Sequence, residues 1–129
     1  MVAIDTNILV RLLTRDNETQ YKISHQLFSS QDIFIPDTVI LETEWVLRDA
    51  YDLMPAEVCE AFRGVFGLGN VTVTNGQLMA QVIAWHEAGL DFADAFHLAL
   101  SHDQECMKTF DGNFIKRAKQ LSEQRVEKP

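Results

Sequence analysis

The N-terminal stretch MVAIDTNILVRLL (residues 1–13) places three consecutive polar residues, 5–7, inside a run that is otherwise apolar except for Arg11. The segment 2–4 is typical of a short buried strand, and ILVRLL holds no helix breaker, so a helix through about Thr14 is expected. Asp5, Thr6 and Asn7 stand at the junction. Thr6 or Asn7 can cap the helix, and Asp5 is either another cap or a carboxylate kept at the strand end for chemistry.

Short apolar strands alternate with helices along the rest of the chain. Further strands are predicted at 33–35, 71–73 and 106–110, with helical patterns in the segments between them. No two strands stand close enough for a hairpin, which predicts right-handed crossovers and parallel pairing. The predicted class is α/β: a three-layer α/β/α domain around a central parallel sheet of four or five strands.

Length and composition indicate a single domain. The 129 residues contain no linker-like stretch, so we predict one domain over 1–122 and a C-terminal tail over 123–129. No apolar run is long enough for a membrane span. Asp5 and Asn7 interrupt the N-terminal segment, where a signal peptide would have an unbroken apolar stretch. A cytoplasmic protein is expected, and the two cysteines, far apart, suggest neither a zinc site nor a disulfide.

The charge balance restricts the function. Nineteen acidic against eleven basic residues give a net charge of −8, which disfavours a protein that holds nucleic acid by neutralising many phosphates. An acidic protein can still act on phosphodiesters if divalent cations supply the positive charge.

Four acidic residues are expected to meet at one edge of the sheet. Asp5 and Asp111 end the first strand and the last clear strand, Glu42 lies one turn into the helix after the second strand, and Asp94 lies in the first turn of a later helix. In an open parallel sheet the ligand crevice lies outside the carboxyl ends of the strands. These four carboxylates are the candidate site.

Structural roles remain open for three of them. Asp5 can cap its helix, Asp91 and Asp94 can be a cap followed by a first-turn acid, and Asp111 can form an Asx-turn before Gly112. Each role stabilises a helix end or turn without any ligand.

Glu42 is the more discriminating position, because its helix carries a comparison residue. Glu44 has Arg48 four residues on and is predicted to form a solvated surface ion pair. Glu42 has mostly apolar neighbours three and four positions away, and no lysine or arginine among them. A carboxylate in that setting needs a cationic partner, and a metal ion is the simplest one.

A cluster of like charges of this kind persists when a divalent cation binds it. Carboxylate-only ligation favours Mg²⁺ or Mn²⁺ over zinc, and Mg²⁺ keeps several waters, one of which can become a nucleophile. An enzyme that hydrolyses phosphodiesters is the resulting hypothesis.

Four segments together resemble the PIN-domain family, most closely its VapC-type toxin branch. They are IDTNILVRLL with Asp5, LETEWVL with Glu42, DFADAFHLAL with Asp94, and TFDGNF with Asp111. The resemblance runs over essentially the whole chain. It implies a PIN-like α/β/α fold, a Mg²⁺- or Mn²⁺-dependent endoribonuclease acting on RNA, a homodimer, and an antitoxin whose tail blocks the site.

The resemblance also assigns supporting residues. Thr6 and Asn7 match the polar residues beside the first acid of the family, and either Asp111 or Asn113 fills the fourth position. Asp111 is preferred because it is charged and ends the strand. His97, three residues after Asp94, is interpreted as a satisfied helix histidine and left out of the site.

The leading hypothesis is therefore a metal-dependent endoribonuclease, the toxin of a VapBC-like type II pair. A catalytically silent PIN-like binding module and a stand-alone nuclease are the alternatives, and a phosphotransferase with Asp5 as nucleophile is weaker because no DxD pair follows the first strand. Arg11 and Arg15, and the run Lys116, Arg117 and Lys119, either contact RNA or an antitoxin or form solvated faces.

Overall fold

The computed structural model describes all residues from Met1 to Pro129. The chain divides into two compact units, Met1–Gly76 and Gln77–Pro129. The first contains β1 (Val2–Ala3), α1 (Thr6–Thr14), α2 (Glu18–Ser30), β2 (Ile33–Ile35), α3 (Asp37–Tyr51), α4 (Pro55–Phe66) and β3 (Val71–Val73). The second contains α5 (Gly76–Glu87), which begins at the boundary, then α6 (Phe92–Leu100), β4 (Met107–Lys108), α7 (Gly112–Leu121) and β5 (Val126–Glu127).

A parallel sheet organises the first unit. Its order is β1-β2-β3, and Ile33 of the central strand pairs with Val2 on one side and Val71 on the other. Ile33 and Ile35 point to the same face of the sheet and are fully buried, while Phe34 on the opposite face is half-buried. The predicted α/β class with parallel pairing is confirmed, but this sheet has three strands and not the four or five that we predicted.

The difference arises because β4 pairs elsewhere. It forms a separate two-stranded parallel sheet with β5, in which Lys108 lies opposite Glu127. Lys108 Nζ is 2.6 Å from Glu127 Oε1. The hydrogen bond from Lys108, followed by that from Arg125, lowers the pKa of Glu127 to about 2. Residues 123–129, which the sequence predicts to be a tail, thus include a strand. A strand of two residues is too short to show the alternation of apolar and polar residues from which strands are predicted.

Each unit has its own set of buried apolar side chains. In the first, α1 packs on α2 and α3, α3 packs on α4, and α4 packs on β3. Fully buried residues there include Leu9, Ile40, Leu47, Val58 and Phe62. In the second, α7 packs on β5, and Val82, Phe92, Ala95, Leu98 and Ala118 are fully buried. None of the helices combines the length and apolarity that crossing a membrane requires.

Candidate active site

Asp5 is both the end of a strand segment and the N-cap of α1. Its Oδ1 accepts a hydrogen bond from the backbone amide of Ile8 at 3.2 Å, so the capping role weighed for Asp5 is confirmed, and Thr6 and Asn7 belong to the helix itself. The side chain is exposed, and its Oδ2 is left without a hydrogen bond. Asp5 can therefore cap α1 and still offer one oxygen to a cation.

Glu42 lies beside the residue that follows Asp5. The buried Thr6 hydroxyl donates a hydrogen bond to Glu42 Oε1. This contact follows from the topology, because β1 and β2 are parallel neighbours and the helices after them begin at the same edge of the sheet. Asn7 is exposed, and with Asp5 it lines a pocket of about 380 Å³ between α1 and α2.

The predicted faces of α3 are reversed. Ile40, Thr43, Glu44 and Leu47 are the buried residues of this helix, at the spacing of a single helical face. Glu44 is only 3% exposed, whereas Glu42 is exposed. The predicted Glu44–Arg48 pair does form, with Arg48 Nε 3.0 Å from Glu44 Oε2, but its acid is buried and not solvated. The prediction that Glu42 lies on an apolar side was wrong.

Neutralising Glu44 should affect stability and not chemistry. We expect Glu44→Gln to lower the free energy of unfolding by about 1–2 kcal/mol, because a buried hydrogen-bonded carboxylate is replaced by a weaker acceptor. Urea unfolding followed by circular dichroism measures the loss. Asp49→Asn is the matched control, since Asp49 is an exposed acid on the same helix; a variant of Glu44 as stable as that control would contradict the burial argument.

In the second unit, three carboxylates line one pocket. Asp91, Asp94 and Asp111 share a cavity of about 600 Å³ with Asn113 and Arg117. Two of the predicted acids, Asp94 and Asp111, are thus brought to the same pocket. Asp91, noted in the sequence only as a cap, is the additional acid there.

Two of these carboxylates also cap helices. Asp91 is the N-cap of α6 and accepts a hydrogen bond from the amide of Asp94 at 3.2 Å. Asp111 is the N-cap of α7, and its Oδ1 accepts from the amides of Asn113 at 2.9 Å and Phe114 at 3.2 Å. Asp94 is the first-turn acid and not the cap, so its carboxylate has no such structural task.

The electrostatics of the pocket are concentrated on Asp94. Partial burial raises the pKa of this carboxyl, and the negative charges of Asp91 and Asp111 raise it further. His97 lowers it, but by the smallest effect of the four. The side chain of His97 is exposed on α6.

A buried histidine holds the loop that presents Asp91. His86 Nδ1 lies 2.8 Å from the carbonyl oxygen of Leu90, and since a carbonyl only accepts, the histidine donates. Gly89 just before it has a φ of 115°, in the region that favours glycine. The left-handed turn and this hydrogen bond fix the path of the chain into α6.

Arg11 of α1 and Arg15, which caps the end of that helix, have partners within the first unit. Arg11 Nη1 is 3.0 Å from Asp16 Oδ1, and Arg15 Nη2 is 3.0 Å from Glu18 Oε1. The Arg15 guanidinium also lies 4.3 Å from the centre of the Tyr21 ring. Of the two interpretations of this pair, the structure favours a surface network over a free nucleic-acid contact.

The donor set suits a hard divalent cation. Within either unit, no three side chains of histidine, cysteine, aspartate or glutamate are grouped so that together they could hold a metal ion. However, Mg²⁺ is commonly held by one or two carboxylates and several waters. Asp5 and Asp111 each use only Oδ1 in capping, Glu42 uses only Oε1, and Asp94 has no side-chain hydrogen bond. Oxygen atoms therefore remain for a metal in each unit.

The sequence matches one family model, that of the PIN domain, over residues 2–120. Because the match spans almost the whole chain, the protein belongs to the PIN-domain family. No curated protein matches it at a significant level. Among solved structures it is similar to VapC20 of Mycobacterium tuberculosis, described as a toxin that cleaves the sarcin-ricin loop. The two are 19% identical, over 97% of this chain and 99% of that chain, with a TM-score of 0.46; at these values we draw no conclusion from the likeness.

Proposed function

We propose that this protein is an endoribonuclease that hydrolyses RNA phosphodiesters with the help of Mg²⁺ or Mn²⁺. Membership of the PIN-domain family supports it. The observation that carries the proposal is the pocket shared by Asp91, Asp94 and Asp111, where partial burial, followed by the neighbouring negative charges, raises the pKa of Asp94. Uncompensated carboxylates in one pocket are typical of a functional site and not of a site selected for stability alone.

Asp5, Glu42, Asp94 and Asp111 are the metal ligands that we propose, two in each unit. When bound, a divalent cation supplies a water of lowered pKa and positive charge for the phosphate oxygens. The protein's own contribution is orientation. Thr6 holds one oxygen of Glu42, while backbone amides hold Oδ1 of Asp5 and of Asp111, so that the second oxygen of each carboxylate is presented in a fixed direction. Asn7 is the further supporting residue that we propose.

The biological setting follows from the resemblance to the VapC-type branch. We propose that the chain is the toxin of a type II VapBC-like pair, that it acts in the cytoplasm as a homodimer, and that a cognate antitoxin inhibits it. A small open reading frame directly upstream that encodes an antitoxin would separate a toxin from a stand-alone nuclease.

One observation favours a second candidate, a catalytically silent PIN-like module. Asp5 and Asp111 cap α1 and α7 whether or not a metal binds, so their presence alone does not require catalysis. Asp94 and Glu42 cap no helix and distinguish the two candidates.

Removal of divalent cations is the direct test. The purified protein, free of any inhibitor, should cut RNA with Mg²⁺ or Mn²⁺ and lose all measurable cleavage in EDTA, with recovery when Mn²⁺ is added in excess. Gel analysis of a labelled RNA measures the rate. Undiminished cleavage in EDTA would exclude the metal mechanism, and no cleavage under any condition would favour the silent module.

A further inference from the structure

Arg117 is the positively charged side chain that lines the acidic pocket of the second unit. It stands on α7 in the basic run that the sequence left unassigned. No ion pair forms between its guanidinium and any of the three carboxylates of the pocket. The cation is thus placed among acids without being neutralised by them.

The backbone at Gly89 gives this guanidinium its place. A Cβ at Gly89 would lie 3.7 Å from Arg117 Nη1 and 3.8 Å from Cζ, so the guanidinium lies near the side of Gly89 from which a side chain would project. Gly89 already has the positive φ that disfavours other residues. The guanidinium of Arg117 therefore lies close to the left-handed turn before α6.

We infer that Arg117 binds a phosphate group of the RNA substrate, an inference that rests on the proposed nuclease function. A pocket of carboxylates repels a polyanion, and binding is favoured where an unpaired cation stands beside it. Guanidinium is well suited, because its planar donors match two phosphate oxygens at once. Asn113, in the same pocket, adds a neutral polar side chain.

Lys119 gives a matched comparison on the same helix. It is exposed, as Arg117 is, but it does not line the pocket. If α7 contributes to RNA binding only through its general positive charge, both residues should contribute equally. A contribution from a defined phosphate contact belongs to Arg117 alone.

The test is the cleavage kinetics of a single-stranded RNA with Mn²⁺ at several salt concentrations. Arg117→Ala should raise KM about tenfold, the usual size for a lost charge-assisted hydrogen bond, and reduce the slope of log KM against log salt by about 0.7. Lys119→Ala should leave both near wild type. Arg117→Lys keeps the positive charge but lacks the planar pair of donors of the guanidinium. It should therefore have the salt slope of wild type but only part of its affinity for RNA.

Three results would overturn the inference, and they are distinguishable. If wild type cleaves RNA and Arg117→Ala and Lys119→Ala have the same KM and salt slope, Arg117 is a solvated residue and the proposed function stands. If wild type cleaves no RNA with Mn²⁺, the proposed function fails and this inference fails with it. Should Arg117→Ala not fold, as judged by circular dichroism, unchanged kinetics in Arg117→Lys contradict a bidentate contact.

Discussion

Glu42→Gln is expected to reduce RNA cleavage at least about 100-fold, because loss of a partner that merely orients a metal ligand typically costs about 10–100-fold and a ligand should cost more. The substitution keeps the shape of the side chain and leaves Oε1 able to accept from Thr6. Glu42 is exposed and caps no helix, so little stability should be lost. Initial rates on a labelled RNA with saturating Mn²⁺ measure the effect, and circular dichroism melts check the fold.

Asp49→Asn is the control for this prediction. Asp49 is an exposed acid about two turns further along α3, and its neutralisation changes the net charge equally. Its activity should stay within about twofold of wild type, as exposed charges remote from a site contribute little. Glu44 cannot serve as that control, since its carboxylate is buried and its neutralisation changes stability. Equal losses in the variants of Glu42 and Asp49 would remove Glu42 from the site.

The alternation of strands and helices could be read from the sequence because it depends on local pattern. The strands at 33–35 and 71–73 are found with the predicted bounds, and α1 ends at Thr14 as expected. Pro55 begins α4 and Gly67 follows its end, which agrees with the preference for proline at a helix start and glycine after its end. Local propensity and apolar periodicity determine these features, so no tertiary information was needed.

The faces of α3 could not be predicted in the same way. A glutamate four residues before an arginine indicates a pair but not how deeply the acid is buried. The Arg48 side chain is half exposed while its partner is almost fully buried, so one pair extends from the interior to the surface. The residues beside Glu42 appeared apolar, yet the helix buries the adjacent stripe through Ile40, Thr43 and Leu47.

Which residues surround the acidic pocket could not be predicted from the sequence either. Asp94 and Asp111 could be selected from their places at a helix start and a strand end. That Asp91 and Arg117 enter the same pocket depends on how α7 packs near the turn at Gly89, which no spacing of residues expresses. The only sequence signals for them were the Asp91–Asp94 interval of one helical turn and the basic run on α7.

Asp94→Asn is expected to remove most of the metal-dependent stabilisation and to leave the metal-free protein at least as stable as wild type. Asp91 and not Asp94 caps α6, so the variant keeps its cap. It loses only a first-turn charge, worth about 0.3–1 kcal/mol, and gains relief from the repulsion by Asp91 and Asp111. Mn²⁺ stabilises the folded state by RT ln(1 + [L]/Kd), so it should raise the melting temperature of wild type far more than that of the variant.

The pH dependence of stability provides an independent test of the role of Asp94. Because the pKa of Asp94 in the folded protein is raised above its ordinary value of 3.8, the folded state binds this proton more tightly than the unfolded chain. That contribution to stability is complete below pH 3.8 and is lost as the pH rises through the raised pKa. In EDTA, the melting temperature of Asp94→Asn relative to wild type should therefore be higher at pH 7 than near pH 4. A difference that shrinks with rising pH, or an unchanged Mn²⁺ increment in the variant, would show that Asp94 is a helix-stabilising acid and not a metal ligand.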